Sequence, residues 1–258
     1  MKLKQLFEQK KERLLNIYFT AGFPQLEDTG RILKLLEANG VDMVEIGIPY
    51  SDPISDGVTI QGSNSIALCN GITLEKIFEQ VRLANSAIPK IMMGYFNSVV
   101  QYGVEKFCKD CQSADISAVI LPDLPLDIFE RDYKQLFDSY DISFVALVTP
   151  QTSEKRIREI DSISDSFIYA VSSASTTGQN KSIRDAESYL QYLQGLELEN
   201  PVFVGFNIKT NEDLSFVWEY AQGGIIGSAF INQIKDGDNL DKQVKEFLNG
   251  LLEPVEIQ

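Results

Sequence analysis

Short apolar runs rich in β-branched and aromatic residues alternate along the chain with longer segments whose apolar residues recur every three or four positions. The short runs predict strands at 15–20, 43–47, 90–93, 118–121, 143–148, 167–172, 202–205 and 224–226. The longer segments predict helices at 28–39, 74–85, 104–113, 126–139, 154–163, 183–193 and 211–221, with another over 61–69. In the first of these, Ile32, Leu35 and Leu36 share one face, and Asp28 and Thr29 stand where caps belong. Strict alternation of strand and helix is the mark of βαβ units around a parallel sheet. Eight such units suit a closed (β/α)8 TIM barrel, an α/β fold, better than an open doubly wound sheet. No Gly-x-Gly-x-x-Gly follows the first strand, as it would in many open sheets. Leu3, Leu6, Phe7 and Leu14 form an apolar stripe that predicts an N-terminal helix covering the open end of the barrel. No linker or low-complexity segment divides the chain, so residues 1–258 are expected to form a single domain.

Charge narrows the partners. Asp and Glu number 37 against 23 Lys and Arg, a formal charge of -14 that repels phosphate backbones and anionic membranes. Histidine is absent, which removes the commonest general base, the Ser-His-Asp relay and every His-containing zinc site. Proton transfer must fall to carboxylates, Tyr, Lys or Cys. No run approaches the roughly 18 apolar residues of a membrane span, and the opening MKLKQLFEQKKERLL is too charged for a secretory signal, so a cytoplasmic chain is expected. Cys69, Cys108 and Cys111 are too few and too odd in number for a disulfide framework. Cys108 and Cys111 lie in a helical stretch without two further zinc ligands, and read as reduced structural thiols; no metal site is expected.

In a barrel of this kind the chemistry belongs at the C-terminal ends of the strands and in the loops beyond them. Glu45 lies within an otherwise apolar strand, where alternation points it into the barrel mouth. A carboxylate there needs a partner or a raised pKa, and either makes it an acid/base candidate. The following connection, PYSDPISDGVTIQ, carries Asp52, Pro53 and Asp56 in the longest gap between strands, and long loops in compact domains are usually functional. Asp56 reads equally as a helix cap or as a group reaching whatever Glu45 touches. After the last two strands, Gly205-Phe206-Asn207-Ile208 and Gly227-Ser228-Ala229 offer backbone N–H groups where barrels of this class bind phosphate. The polar stretch 172–180 after the sixth strand reads as a lid, and Tyr169 before it as either core or a ligand contact.

The string EIGIPYSDPISDGVTIQGSN resembles the signature of the tryptophan synthase alpha subunit family. YFTAGFP, MMGYFNSV, LPDLP, VSSASTTG, GFNI and IGSA follow in the family's order, so that the resemblance covers nearly the whole chain. It implies a lyase that cleaves indole-3-glycerol phosphate to indole and glyceraldehyde 3-phosphate in tryptophan biosynthesis, without a cofactor. By resemblance Glu45 and Asp56 are the catalytic pair. Tyr18, Met93, Tyr95, Leu147, Tyr169 and Phe206 line the indole pocket, with Asp123 helping to organise the site. Gly178, Asn207, Gly227 and Ser228 hold the phosphate, with Thr177 on the lid. The implied partner is a pyridoxal phosphate-dependent beta subunit in an alpha-beta-beta-alpha assembly, met through Asp52, Pro53 and the Asn97–Ser98 turn. Two departures stand out: Ser175 and Thr176 replace the Gly and Val common in the lid, and Asn207 replaces the second glycine of G-F-G-I.

The residues themselves agree with that chemistry. Cleavage without a Schiff base needs C3 of the indole protonated, charge near N1 stabilised and the glycerol hydroxyl deprotonated, and two positioned carboxylates can supply all three. Two other readings remain at this stage. A Schiff-base aldolase would need a desolvated lysine at a strand end, whereas Lys90 begins its strand and Lys209 lies in a polar loop. The altered lid also fits a weakly active barrel that serves chiefly to activate a beta subunit.

Overall fold

The computed structural model describes residues 2–172, 182–205, 207–237 and 239–252. Its parallel strands are β1 (Leu14–Thr20), β2 (Met43–Gly47), β3 (Lys90–Met93), β4 (Ile116–Ile120), β5 (Ser143–Phe144), β6 (Leu147–Val148), β7 (Ile168–Val171), β8 (Val202–Gly205) and β9 (Gly223–Ile226). They form one sheet in the order β5-β4-β3-β2-β1-β9-β8-β7-β6. Its two ends, β5 and β6, are halves of the single strand expected over 143–148. Between them Val145 donates to the Val119 carbonyl at 2.9 Å, while Ala146 accepts from the Tyr169 N–H at 3.1 Å. These two residues therefore bond β4 on one side and β7 on the other and close the sheet into a barrel. The fifth strand breaks where its backbone turns from one neighbour to the other, a long-range event that local periodicity does not encode.

Alternation along the strands sorts the apolar residues into two cores. Inside the barrel lie Leu14, Met43, Ile91, Ala118, Val145, Phe167, Phe203 and Ile225. Residues one position away, such as Leu15, Val44, Met92, Val119, Phe144, Ile168, Val204 and Ile226, pack outward under the helices. The amphipathic helix α1 (Lys2–Gln9) plugs the N-terminal end. Leu3, Leu6 and Phe7 join the inner core, and the Phe7 ring lies 6.4 Å from Phe167 and 5.8 Å from Phe203. The covering helix is thus present but ends before Leu14, which begins β1.

The outer layer comprises α2 (Asp28–Ala38), α3 (Val58–Cys69), α4 (Leu74–Ala84), α5 (Phe96–Tyr102), α6 (Val104–Ser113), α7 (Leu126–Ile128), α8 (Lys134–Ser139), α9 (Glu154–Ile163), α10 (Glu187–Gly195), α11 (Asn211–Val217), α12 (Ser228–Ile234) and α13 (Leu240–Leu252). The expected helix over 126–139 is divided by a π turn at Phe129–Tyr133. In a regular α-helix residues 129 and 137 would sit roughly 80° apart in projection. The wider turn reduces that offset, so Phe129 stacks on Phe144 with centroids 4.1 Å apart while its own neighbour Phe137 packs edge-on at 5.4 Å. Asp28 and Thr29 lie inside the first turn of α2 instead of capping it. The N-cap is Glu27, and Thr29 Oγ1 accepts the Gly22 N–H at 3.0 Å, tying the loop after β1 to the helix. Cys108 and Cys111 are buried free thiols on α6, and Cys69 is an exposed one at the end of α3.

Candidate active site

Glu45 sits at the centre of β2, wholly buried, beside Tyr18 in the register of β1 and β2. One carboxyl oxygen accepts from Asn16 Nδ2 at 2.5 Å. The other has no hydrogen-bond partner among the described residues, and Glu45 lines a cavity of about 430 Å³ at the barrel mouth. Burial raises its pKa to about 8 against the smaller opposing effect of the Asn16 hydrogen bond. At neutral pH Glu45 is mostly a protonated acid, a state able to donate a proton and then take one back.

Asp56 reaches the same cavity from the long loop between β2 and α3. Its backbone N–H bonds the Pro53 carbonyl at 3.1 Å, which curls the Asp52–Asp56 segment into a turn. The N-cap of α3 is Gly57, and no side chain caps that helix, so capping does not account for the Asp56 carboxylate. Instead it receives Asn64 Nδ2 at 3.5 Å. The Thr20 and Ser63 hydroxyls, 2.7 Å apart, fasten α3 to the end of β1 beneath it. Burial raises the Asp56 pKa to about 6, with the Tyr95 hydroxyl and Asn64 drawing it back. Asp56 is therefore mainly ionised at neutral pH while Glu45 is not, and two carboxyl groups so separated can play different roles on one ligand.

Two tyrosines form walls of the cavity, and glycines on neighbouring strands let them lie there. Tyr18 pairs with Glu45, and its ring crosses to Gly47 two residues on. Tyr169 pairs with Phe203 and its ring crosses to Gly205 in the same diagonal way. A Cβ at either glycine would overlap the tyrosine hydroxyl and ring. Gly205→Ala is expected to displace Tyr169 and to cost about 1–3 kcal/mol of stability, together with most of the binding of an aromatic ligand. Thermal melts and a titration with indole check this, and an unchanged melting temperature with normal indole affinity would refute it.

Beyond the tyrosines the cavity is lined by Met93, Asn207, Ile208, Lys209, Ile225, Gly227, Ser228 and Asn232. Asn207 takes a left-handed φ of 61°, a conformation easy for glycine and tolerated by asparagine. The replacement of the family's glycine thus keeps a glycine-like backbone. Gly227 is the N-cap of α12, so the Ser228 N–H is among the unbonded donors of that helix.

The structure thus brings together Tyr18, Glu45, Asp56, Met93, Tyr169, Asn207, Gly227 and Ser228. Tyr95 stands behind Asp56 and contacts the loop without lining the cavity. Leu147 packs against the inner core on β6, and Asp123 accepts the Phe96 N–H at 2.8 and 3.1 Å, holding the start of α5. Asp52 is exposed and Pro53 half-buried on the loop, and exposed Asn97 bonds the Tyr50 hydroxyl at 3.2 Å. Phe206, Thr177 and Gly178 lie outside the described residues, as do Ser175 and Thr176. Asn16, Asn64 and Asn232 are contributors that reading the sequence missed, and Lys209, weighed there only for a Schiff base, also lines the cavity. Asn16 alone left a signal, as a polar residue two positions before Tyr18 on the inward face of an apolar strand. No group of three or more His, Cys, Asp or Glu among the described residues is placed to hold a metal ion.

Comparison with known proteins adds an independent line. The family model of the tryptophan synthase alpha chain matches residues 3–254. A tryptophan synthase alpha chain from Christiangramia forsetii is 51% identical over 88% of this chain and 90% of its own length. One from Flavobacterium johnsoniae is 46% identical over 93% and 95%. Among solved structures, a protein from Aquifex aeolicus superposes with a TM-score of 0.85 at 31% identity, covering 97% of this chain and 99% of that one. A chain of the tryptophan synthase complex from Pyrococcus furiosus gives 0.85 at 29%, covering 94% and 99%. The barrel, its paired carboxylates and a match spanning nearly every residue agree, and the chain belongs to the tryptophan synthase alpha chain family.

Proposed function

We propose that Glu45 and Asp56 carry, in this chain, the reaction of its family, the cleavage of indole-3-glycerol phosphate to indole and glyceraldehyde 3-phosphate. The observation that carries the proposal is the pair of carboxyl groups on one cavity with pKa values raised to about 8 and about 6. Protonated Glu45 donates to indole C3, and the positive charge that develops at N1 is stabilised by ionised Asp56. The Glu45 carboxylate then takes the proton of the glycerol hydroxyl adjoining the breaking bond. That oxygen becomes the aldehyde carbonyl, and the electron pair of the broken carbon-carbon bond returns to the ring and restores the aromatic indole. Glu45 ends protonated, ready for another cycle.

Tyr18, Met93 and Tyr169 hold the indole in this reading, joined by Phe206 on the strength of the resemblance, while Asn207, Gly227 and Ser228 hold the phosphate, joined on the same ground by Thr177 and Gly178. The volume of about 430 Å³ lies in the usual range for a small-molecule site. Lys90 and Lys209 do not support a Schiff base. Lys90 is buried at the opposite end of its strand, on the Ser86 and Ile88 carbonyls, and Lys209 is exposed, not desolvated. We take residues 1–258 as one domain, in keeping with the single sheet through β1–β9, and place it in the cytosol. Among the described residues no helix is long and apolar enough to cross a membrane.

The partner in this reading is a tryptophan synthase beta subunit, docked over Asp52, Pro53 and Asn97. Apolar Ile54, Val58 and Val100 stand exposed beside these residues, Ile54 at 85%. A partner covering them would bias the Asp56 loop toward its bound form. Release of indole from indole-3-glycerol phosphate by the purified chain tests the activity. Added beta chain is expected to raise the rate by about tenfold or more, roughly 1.4 kcal/mol, and Asp52→Ala to reduce that gain more than the basal rate. Sedimentation without a complex, and a rate indifferent to the beta chain, would reject the partner.

A further inference from the structure

The loop that carries Asp56 is held by a second aromatic element outside the cavity. Tyr50, at the start of the loop, stacks on Tyr95 with centroids 4.9 Å apart and planes inclined by 26°. The Tyr95 hydroxyl accepts the Ser55 N–H at 2.9 Å, which leaves its own proton for another acceptor, and the Asp56 carboxylate lies beside it. Tyr95 can hold both positions only while its ring stays where it is. One face of that ring is covered by Tyr50, whose hydroxyl accepts from Asn97 Nδ2 at 3.2 Å. Asn97 lies in the first turn of α5, the helix whose start is fixed by Asp123. A continuous set of contacts therefore runs from exposed Asn97 through half-buried Tyr50 to buried Tyr95 and on to the Ser55–Asp56 backbone.

We propose that Tyr50 is a positioning residue for Asp56: its ring clamps Tyr95 against the Ser55 N–H and the Asp56 carboxylate, and its hydroxyl ties that clamp to α5 through Asn97. The proposal rests on Asp56 acting in the reaction. Its physical basis is that a shift of about 1 Å in a catalytic group can cost as much as 10²-fold in rate. A stacked ring with an anchored hydroxyl keeps the loop from making such a shift. Among the described residues, the ionisable groups lining this cavity or touching the Asp56 loop beside it are Tyr18 on β1, Glu45 on β2, Tyr95 after β3, Tyr169 on β7 and Lys209 after β8. The three tyrosines are all held above their ordinary values, and Glu45 titrates near 8. Movement of a limb near pH 6 therefore reports on Asp56. The substrate's own phosphate titrates alike in every variant.

The test is single-turnover cleavage of indole-3-glycerol phosphate from pH 5 to 9 by the full chain and by Tyr50→Leu, Tyr50→Phe and Asp56→Asn, with melting temperatures for each. Loss of the clamp lets the Tyr95 hydroxyl, which draws the Asp56 pKa down, move away from the carboxylate, so the ascending limb of Tyr50→Leu moves to higher pH. Its rate is expected to fall about tenfold at pH 6 and clearly less at pH 8, with substrate affinity within about twofold. Tyr50→Phe keeps the stack and recovers most of that loss. A Tyr50→Leu rate equal to wild type, or one reduced by the same factor at every pH, overturns the proposal. If Asp56→Asn itself cleaves normally, the reading of Asp56 fails instead, whatever Tyr50 does.

Discussion

Glu45→Gln is expected to lower cleavage by about 10²- to 10⁴-fold, the range supplied by a positioned general acid/base, with the barrel intact. Glutamine has the shape of glutamate, and its carbonyl can still accept the Asn16 Nδ2 hydrogen, so the inner face of β2 keeps its packing and its one polar contact. What disappears is the proton that Glu45 holds at neutral pH. The same substitution should reveal the strain of burying the group. Its folded pKa of about 8 exceeds the ordinary value of 4.5, so the folded state binds the proton more tightly. The stability this provides is complete below 4.5 and is lost as pH rises through 8. Glutamine has no such loss, so the stability of Glu45→Gln relative to wild type should grow across that window by an amount on the order of several kcal/mol. Denaturant unfolding at pH 5 and pH 9 measures the difference. A variant that cleaves at near-normal rate removes Glu45 from the chemistry, and a stability difference constant with pH removes its raised pKa.

Asp56→Asn should be nearly as damaging, lowering the single-turnover rate by about 10²-fold or more while the substrate still binds. The amide keeps the size of the carboxylate and loses the charge that faces N1 as the ring becomes positive. This role also fixes a pH signature. Activity should rise as pH passes about 6, where Asp56 ionises, and fall as pH passes about 8, where Glu45 loses the proton it must donate. In Asp56→Asn the ascending limb should vanish and the descending limb stay. An ascending limb unchanged in that variant would assign it to another group and leave Asp56 without a catalytic role.

The two carboxylates were legible for different reasons. Glu45 announced itself through local pattern, as a charged residue on the inward face of an apolar strand, and the alternation of β2 does point it into the barrel. Asp56 could not be told from a helix cap by spacing alone. The structure separates these readings because Gly57 occupies the cap and the carboxylate turns toward Asn64 and Tyr95. Asn207 shows the same limit: the sequence marks a departure from glycine, and only the backbone angle of 61° shows that the residue takes a left-handed conformation open to glycine.

By itself the sequence determined the alternation of strands and helices, the inward face of the strand that carries Glu45 and the apolar stripe that made α1 a plug, because residue periodicity along one element carries these; α5 and α13 were not read from it. Tertiary structure alone decided how the ends of the sheet meet at Val145 and Ala146, that Asn16 supports Glu45, and that Gly47 and Gly205 make room for Tyr18 and Tyr169. It also decided that one buried carboxyl group keeps its proton at neutral pH while its neighbour gives it up. Each of these depends on strand register, or on how much water and which dipoles surround a group, and both are set by segments far apart in the chain that meet only when the barrel closes.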